Sequence, residues 1–250
     1  MNNYYTMKAT VLGWCGGFPR SGEATCSILV ETSEGSILID CGSGSLSKYF
    51  GKSDVDKLNA LLISHLHYDH MADLGCIQYA INHALRVEMR KTKLPVYAPK
   101  TPEEMWNVIQ YPYTETFGLD DNMSFNIAGI NIKAKKVKHT IECYAFSLEK
   151  DGKKLVYFTD TEYINDASEF IDNADLLFCE ATSTEGSRHS TGKGHISDLQ
   201  AGEIAKEAHA KKVCLIHLPS DADLNIMKNR AQSTYGGRIY MPNEIDTYYI

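Results

Sequence analysis

No apolar stretch in this 250-residue chain approaches the roughly 18 residues that a membrane-spanning helix needs. The N-terminus, "MNNYYTMKATVLG", lacks a charged segment followed by an apolar run, so a secretory signal is not expected. Also missing are a Pro/Gly/Ser-rich linker, a low-complexity tract and an internal repeat, which makes one domain over 1–250 the expectation. Positive charge is in deficit. The 25 Lys and Arg against 32 Asp and Glu leave a net −7, which offers no global attraction to nucleic acid or anionic lipid. The seven cysteines are odd in number and scattered in or beside apolar stretches such as "LLFCE" and "KKVCLIH". Without an export signal, they read as reduced, packed thiols in a cytoplasm. Hydrophobic residues, at 43%, suffice for a sizeable core.

Two basic runs stand against the acidic balance, "RVEMRKTK" at 86–93 and "KAKKVK" at 133–138. Each reads as a solvated helix end or a strand edge, since lysine is a common edge-blunting device. Strand composition occurs at 8–13, 25–31, 36–42, 58–65, 94–99, 131–140 and 174–180, and in "VCLIH", with a hairpin over 144–160 turning at Asp151-Gly152. Helical spacing follows 72, where Leu74, Ile77, Ala80, Ile81, Ala84 and Leu85 share a face. "TPEEMWNVI" predicts a helix with Thr101 as N-cap and Pro102 first, and "SDLQAGEIAKEAHAKK" one capped by Ser197. This mixture of βα alternation and hairpins implies a layered α/β protein, two sheets with helices outside. Segments 83–96, 111–122 and 183–194 read as the loops that shape a pocket.

The chemistry gathers where strands stop. His65, Asp160, Glu180 and His217 each sit at or just past the C-terminal end of an apolar strand, and His139 closes another. Ligands of α/β folds bind outside such ends. Of nine histidines, six (65, 67, 70, 139, 195 and 217) occupy strand ends or polar loops, whereas His83 and His209 read as helical and His189 as part of a loop. Within "HLHYDH" (65–70), His65 and His67 point the same way from an extended segment and clamp one metal. Asp69 and His70 begin the next helix and serve a second ion. Two ions need roughly seven ligands, one of them a bridging anion. His65, His67, His70, His139 and His217 with Asp69 and Asp160 supply five imidazoles and two carboxylates, a set suited to Zn²⁺ that also accepts Mn²⁺ or Fe²⁺. Gly13, Gly16 and Gly17 read as a tight turn, with a phosphate-approaching loop as second reading. Cys15 reads as packed and Tyr68 as packing or rim.

"HLHYDH" resembles the HxHxDH motif of the metallo-β-lactamase superfamily, and the later strand-end His, Asp and His come in that superfamily's order. "LIDCGSG" resembles its first motif, in which the aspartate, here Asp40, braces the metal loop without ligating. The resemblance implies a four-layer αβ/βα sandwich of two mixed β-sheets flanked by helices. It further implies one divalent ion on His65, His67 and His139, a second on Asp69, His70 and His217, and Asp160 with a hydroxide bridging them. "LGWCGGFP", "CEAT" and "GHISDLQAGEIA" are similar to segments of the ribonuclease Z-like branch. That similarity implies that His195 faces a scissile phosphate, that Glu180 orients it, and that Asp69 positions or deprotonates the nucleophile.

The expectation is therefore a cytoplasmic dinuclear zinc hydrolase acting on a small or cyclic phosphodiester. The rivals are hydrolysis of a lactone, thioester or β-lactam on the same metals, and a metal-binding protein without turnover. A degenerate site would usually have lost a ligand, and none is missing. A homodimer stays open. The ribonuclease Z arm that grips tRNA lies between the strand-end His and the bridging Asp. Here His139 and Asp160 are 21 positions apart and a hairpin fills the interval, so tRNA is not expected as a partner.

Overall fold

The alternating patterns resolve into two seven-stranded sheets in the computed structural model, which describes residues 5–183 and 194–250. The first sheet runs Thr247–Tyr249, Lys8–Gly13, Ser27–Thr32, Gly35–Ile39, Leu58–Leu62, Leu94–Ala98, Thr114–Gly118. Its neighbours are antiparallel up to Gly35–Ile39 and parallel from there on. The second runs Ile239–Tyr240, Val213–Ile216, Leu176–Glu180, Lys153–Phe158, Cys143–Lys150, Ile130–Val137, Ser124–Ile127. It is parallel over the first four strands and antiparallel over the rest. Both sheets are mixed, as the resemblance implies.

Period-two alternation decides what each face meets. Ile28, Val30, Ile37 and Ile39 turn toward the other sheet and join Ile132, Phe146 and Tyr157 in one buried cluster. Their neighbours Leu29 and Leu38 face outward and pack with Leu61 under Ile77 and Ile81 of the helix Leu74–Arg86. On the far side, Ala201 and Ile204 of the helix Asp198–Glu207, with Met227 and Ala231 of Leu224–Tyr235, cover the second sheet. The order is helix, sheet, sheet, helix. Among the described residues no helix is long and apolar enough to cross a membrane.

Local chemistry explains several boundaries. Ser197 and Gln200 form a reciprocal capping box, with Gln200 N–H on Ser197 Oγ at 3.2 Å and Ser197 N–H on Gln200 Oε1 at 2.9 Å. The hairpin turns where Asp151 and Gly152 both take positive φ, 48° and 73°, as a two-residue turn of matching twist requires.

Other expectations need correction. The Thr101-Pro102 peptide is cis, Pro102 stands at the N-cap, and the helix is Glu103–Val108. Thr101 Oγ1 instead donates to Glu142 at 2.9 Å. The helix after Ser197 stops at Glu207, so His209 (φ 52°) lies beyond it. Of the expected loops, 83–96 carries the end of Leu74–Arg86 and the start of Leu94–Ala98, and 111–122 contains the strand Thr114–Gly118. Positions 184–193, with His189, lie outside the described residues. The run 133–138 belongs mostly to the penultimate strand Ile130–Val137, not the edge. Arg90 is buried, donating to the carbonyls of Val55, Leu58 and Thr92 at 2.6–2.7 Å, so that run is partly structural. All cysteines are free thiols and buried, except Cys76, which is exposed.

Candidate metal centre

The strand Gly35–Ile39 ends at Asp40, fully buried and in the left-handed region at φ 56°. Its Oδ1 accepts the Ser64 N–H at 2.7 Å, and its Oδ2 accepts Ser64 Oγ at 2.8 Å, Tyr157 OH at 2.7 Å and His70 Nδ1 at 2.7 Å. Asp40 thus ties the segment after Leu58–Leu62 to the helix Tyr68–Met71, the bracing expected of it.

Those bonds also set the imidazole tautomers. A carboxylate only accepts, so His70 donates Nδ1–H to Asp40 and turns Nε2 inward. That Nε2 is buried without a hydrogen-bond partner, 3.5 Å from Asp160 Oδ1 and 3.6 Å from Asp69 Oδ2. The Ser64 hydroxyl proton goes to Asp40, so Ser64 Oγ accepts His65 Nδ1–H at 3.1 Å. His139 donates Nδ1–H to the Gly194 carbonyl at 2.8 Å. Thr182 Oγ1 donates to the His217 carbonyl at 2.8 Å and accepts His217 Nδ1–H at 2.5 Å. Four imidazoles therefore turn Nε2 lone pairs to one interior.

Those lone pairs converge in two groups. His65 Nε2 and His139 Nε2 lie 3.0 and 3.2 Å from His67 Nδ1. Burial, followed by the neighbouring imidazoles, pushes His65 well below the usual histidine range, and burial lowers His67 and His139 too. Neutral nitrogens facing one another so closely suit a cation between them. In the second group, His217 Nε2 stands 3.1 Å from both Asp69 Oδ2 and Asp160 Oδ2. Burial disfavours charge on His70, yet Asp160, Asp40 and Asp69 outweigh it and raise His70 to about 10. This half of the site is a carboxylate cage that demands positive charge. Asp160, nearly fully buried, reaches both groups, with Oδ2 3.8 Å from His65 and 3.9 Å from His139. The orphaned His70 nitrogen and the donor set fit divalent cations.

Asp69 is held by the Gly17 N–H at 2.8 Å. Burial pushes its carboxyl up, but the His217 hydrogen bond and the charges of His70 and His217 dominate and hold it far below the carboxylate range. Its carboxylate faces the imidazoles of His70 and His217. His195, part-exposed, sets Nδ1 3.2 Å from both Glu180 oxygens and 3.8 Å from Asp160 Oδ2. Burial works against its charge, while the Glu180 bond and the Glu180, Asp160 and Asp69 charges raise it to about 9.

The structure thus brings together His65, His67, Asp69, His70, His139, Asp160, Glu180, His195 and His217. His83 and His209 are exposed and outside the cluster. Ser64, Tyr157 and Thr182 escaped sequence reasoning; a hydroxyl's partner depends on how strands cross. Cys26 is packed as expected, and its sulfur lies within 4.8 Å of a ring nitrogen of His70 and of His217. Of the three glycines, Gly17 alone needs positive φ (72°), whereas a Cβ at Gly16 would come 2.8 Å from the His217 ring. Beside the cluster opens a cavity of about 300 Å³, lined among others by Gly17, Phe18, Asp69, His195, His217 and Pro219.

Known proteins resemble this chain. Residues 36–218 match the family model described as "Beta-lactamase superfamily domain". The chain is 33% identical to the "Probable metallo-hydrolase YhfI" of Bacillus subtilis over 93% of this chain and 96% of that protein. The crystal structure of YhfI superimposes with a TM-score of 0.90 over 97% of this chain and 98% of that one, at 32% identity. A ribonuclease Z of Picrophilus torridus is 25% identical over 92% of each chain. A structure titled as a new diphosphatase from the PhnP family shares the fold at 21% identity, with a TM-score of 0.74 over 90% of this chain and 91% of that one.

Proposed function

The chain belongs to the β-lactamase superfamily and is a metal-dependent hydrolase, and we propose that it is a dinuclear zinc phosphodiesterase for small or cyclic diesters. His65, His67 and His139 hold one ion in this reading. Asp69, His70 and His217 hold the other, with Asp160 between them. When bound, such a pair supplies water acidified toward neutral pH and neutralises charge on an attacked phosphate.

The observation that carries the reaction class is the Glu180–His195 pair beside Asp160. Glu180 fixes Nδ1 and favours the protonated ring, which leaves Nε2–H to donate to substrate. As hydroxide, left when that acidified water gives its proton to solvent, bonds through oxygen to phosphorus and the ester P–O bond breaks, the departing alkoxide takes the Nε2 proton. A second cationic donor has most to offer a dianionic transition state, and less to offer a lactone, thioester or β-lactam carbonyl. The named relatives include a ribonuclease Z and a diphosphatase, enzymes of phosphoryl esters and anhydrides. The cavity of about 300 Å³ lies at the lower end of the roughly 300–1,000 Å³ common for ligand sites, which favours a small substrate. Five imidazoles with two carboxylates suit zinc, and manganese or iron next.

The test is turnover of a panel (cyclic nucleotides, linear aryl diesters, lactones, thioesters, a β-lactam) with metal content measured on the same preparation. Diester turnover well above the rest is expected. Faster turnover of any carbonyl substrate would overturn the phosphodiester reading.

A further inference from the structure

Phe18 stands at the mouth of the metal cavity with 66% of its surface exposed. An exposed phenylalanine alone is unremarkable, since single apolar residues are common on surfaces. What distinguishes this one is its mounting. Gly17, one residue before, donates its N–H to the proposed ligand Asp69 at 2.8 Å. Phe18 N–H bonds back to the Gly16 carbonyl at 2.9 Å, and the Phe18 carbonyl accepts the Ser220 hydroxyl. Two residues on, Arg20 spends its guanidinium on the carbonyls of Ser220 at 2.5 Å, Ala222 at 2.6 Å and Pro219 at 3.3 Å. The Trp14 ring backs that guanidinium, 5.3 Å from its centroid.

The loop carrying Phe18 is thus lashed to the loop after His217, and both line the cavity. A parallel bridge pairing Leu218 with Cys15 and Pro219 with Gly16 adds backbone registry. A large apolar side chain, standing in water on a backbone so held, needs little backbone ordering when a flat ligand covers it. We propose that Phe18 is the stacking platform for a planar aromatic group of the substrate, a nucleobase or an aryl ester, so that the substrate class is an aromatic-bearing phosphodiester. This rests on the phosphodiester reading above, and it adds what that reading leaves open: which diesters are preferred and which residue selects them. The metals hold the phosphate end, while Phe18, with Pro219 beside the cavity, receives the flat end.

The experiment compares wild type with Phe18→Ala, Phe18→Leu and Phe18→Tyr in metal-loaded enzyme of measured metal content. KM is taken for a cyclic nucleotide and for an aryl alkyl diester, and a dialkyl diester is titrated as competitor. Calorimetric binding of a nucleoside monophosphate and of methyl phosphate supplies a readout independent of turnover. Phe18→Ala is expected to raise KM for both aromatic diesters by roughly 5- to 150-fold, the range that stacking one base is worth, with kcat little changed. The dialkyl competitor and methyl phosphate keep their affinity, Phe18→Tyr restores the wild-type KM, and Phe18→Leu does not. A KM shift confined to the nucleotide or to the aryl diester names the source of the ring. Unchanged nucleoside monophosphate affinity, or equal losses on aromatic and dialkyl ligands, overturns the proposal. Absence of all diester turnover would sink the phosphodiesterase reading, while the binding arm still judges Phe18.

Discussion

His195 takes its orientation from Glu180, and Glu180 takes its own from the main chain. The fully buried Glu180 carboxylate accepts the backbone N–H groups of Thr161 at 2.7 Å, Thr182 at 3.2 Å and Ile196 at 3.3 Å, beside His195 Nδ1 at 3.2 Å. Three amides from three segments hold that carboxylate in place, and the imidazole is fixed in turn.

His195→Ala therefore keeps its metals and loses turnover on an aryl diester by about 10²–10⁴, the usual cost of a positioned general acid. Glu180→Gln, which keeps the shape and removes the charge, loses part of that. Elemental analysis beside steady-state kinetics checks both; unchanged turnover in His195→Ala would reduce that residue to a loop histidine.

Metal content separates the cluster from the bystanders. About two transition-metal ions per chain are expected in protein prepared without chelator. His67→Ala and Asp160→Ala lose metal, whereas His83→Ala, on the exposed face of Leu74–Arg86, retains it. One ion or none in the wild type would refute the dinuclear assignment.

A small diester is expected to outcompete tRNA. The interval between His139 and Asp160 is filled by the strands Cys143–Lys150 and Lys153–Phe158, which leaves no chain for a gripping arm. The net charge of −7 withholds the phosphate neutralisation that supplies most non-specific nucleic-acid affinity. Efficient, site-specific cleavage of a 3′-extended pre-tRNA, in a gel assay beside a cyclic diester, would contradict this.

Far from the site, Asp175 joins strands through charge. It accepts the Lys154 N–H at 3.0 Å and Lys211 Nζ at 3.0 Å, with Lys153 Nζ 3.4 Å away. Burial pushes its carboxyl up, but those hydrogen bonds and lysine charges prevail and hold it below the usual range. A depressed folded pKa contributes stability above the unfolded value of about 4, and that contribution is lost as pH falls through the folded pKa. Asp175→Asn therefore melts earlier than wild type at neutral pH, and the gap narrows as pH is lowered past about 4. Thermal scans across that range are the check; a constant gap would assign the effect to packing.

His65 and His217 are legible because each ends an apolar run, Leu61-Leu62-Ile63 before His65 and "VCLI" before His217, and His67 and His70 through their spacing in "HLHYDH". The capping box at Ser197 and the Asp151-Gly152 turn are local codes and could be read locally. Thr114–Gly118 was not, because an edge strand with glycine and alternating exposure carries little apolar signal. Leu224–Tyr235 buries only Met227 and Ala231, too thin a stripe for periodicity to reveal. The partners of Asp40 come from the loop after Leu58–Leu62 (Ser64), from the helix Tyr68–Met71 (His70) and from a strand of the other sheet (Tyr157). Such convergence is a property of tertiary crossing, which spacing along the chain does not encode.

His217 sits at φ 50°, a left-handed conformation uncommon for any side chain and costing of order 1–3 kcal/mol. Gly16 makes room for its ring, so the distortion is served by its surroundings. With His217 as a proposed metal ligand, heat resistance and catalysis are opposed at one position. Directed evolution that screens only for thermostability has a route open here, exchanging His217 for a residue at ease in that backbone and giving up the metal. A library selected on turnover would be barred from the same step.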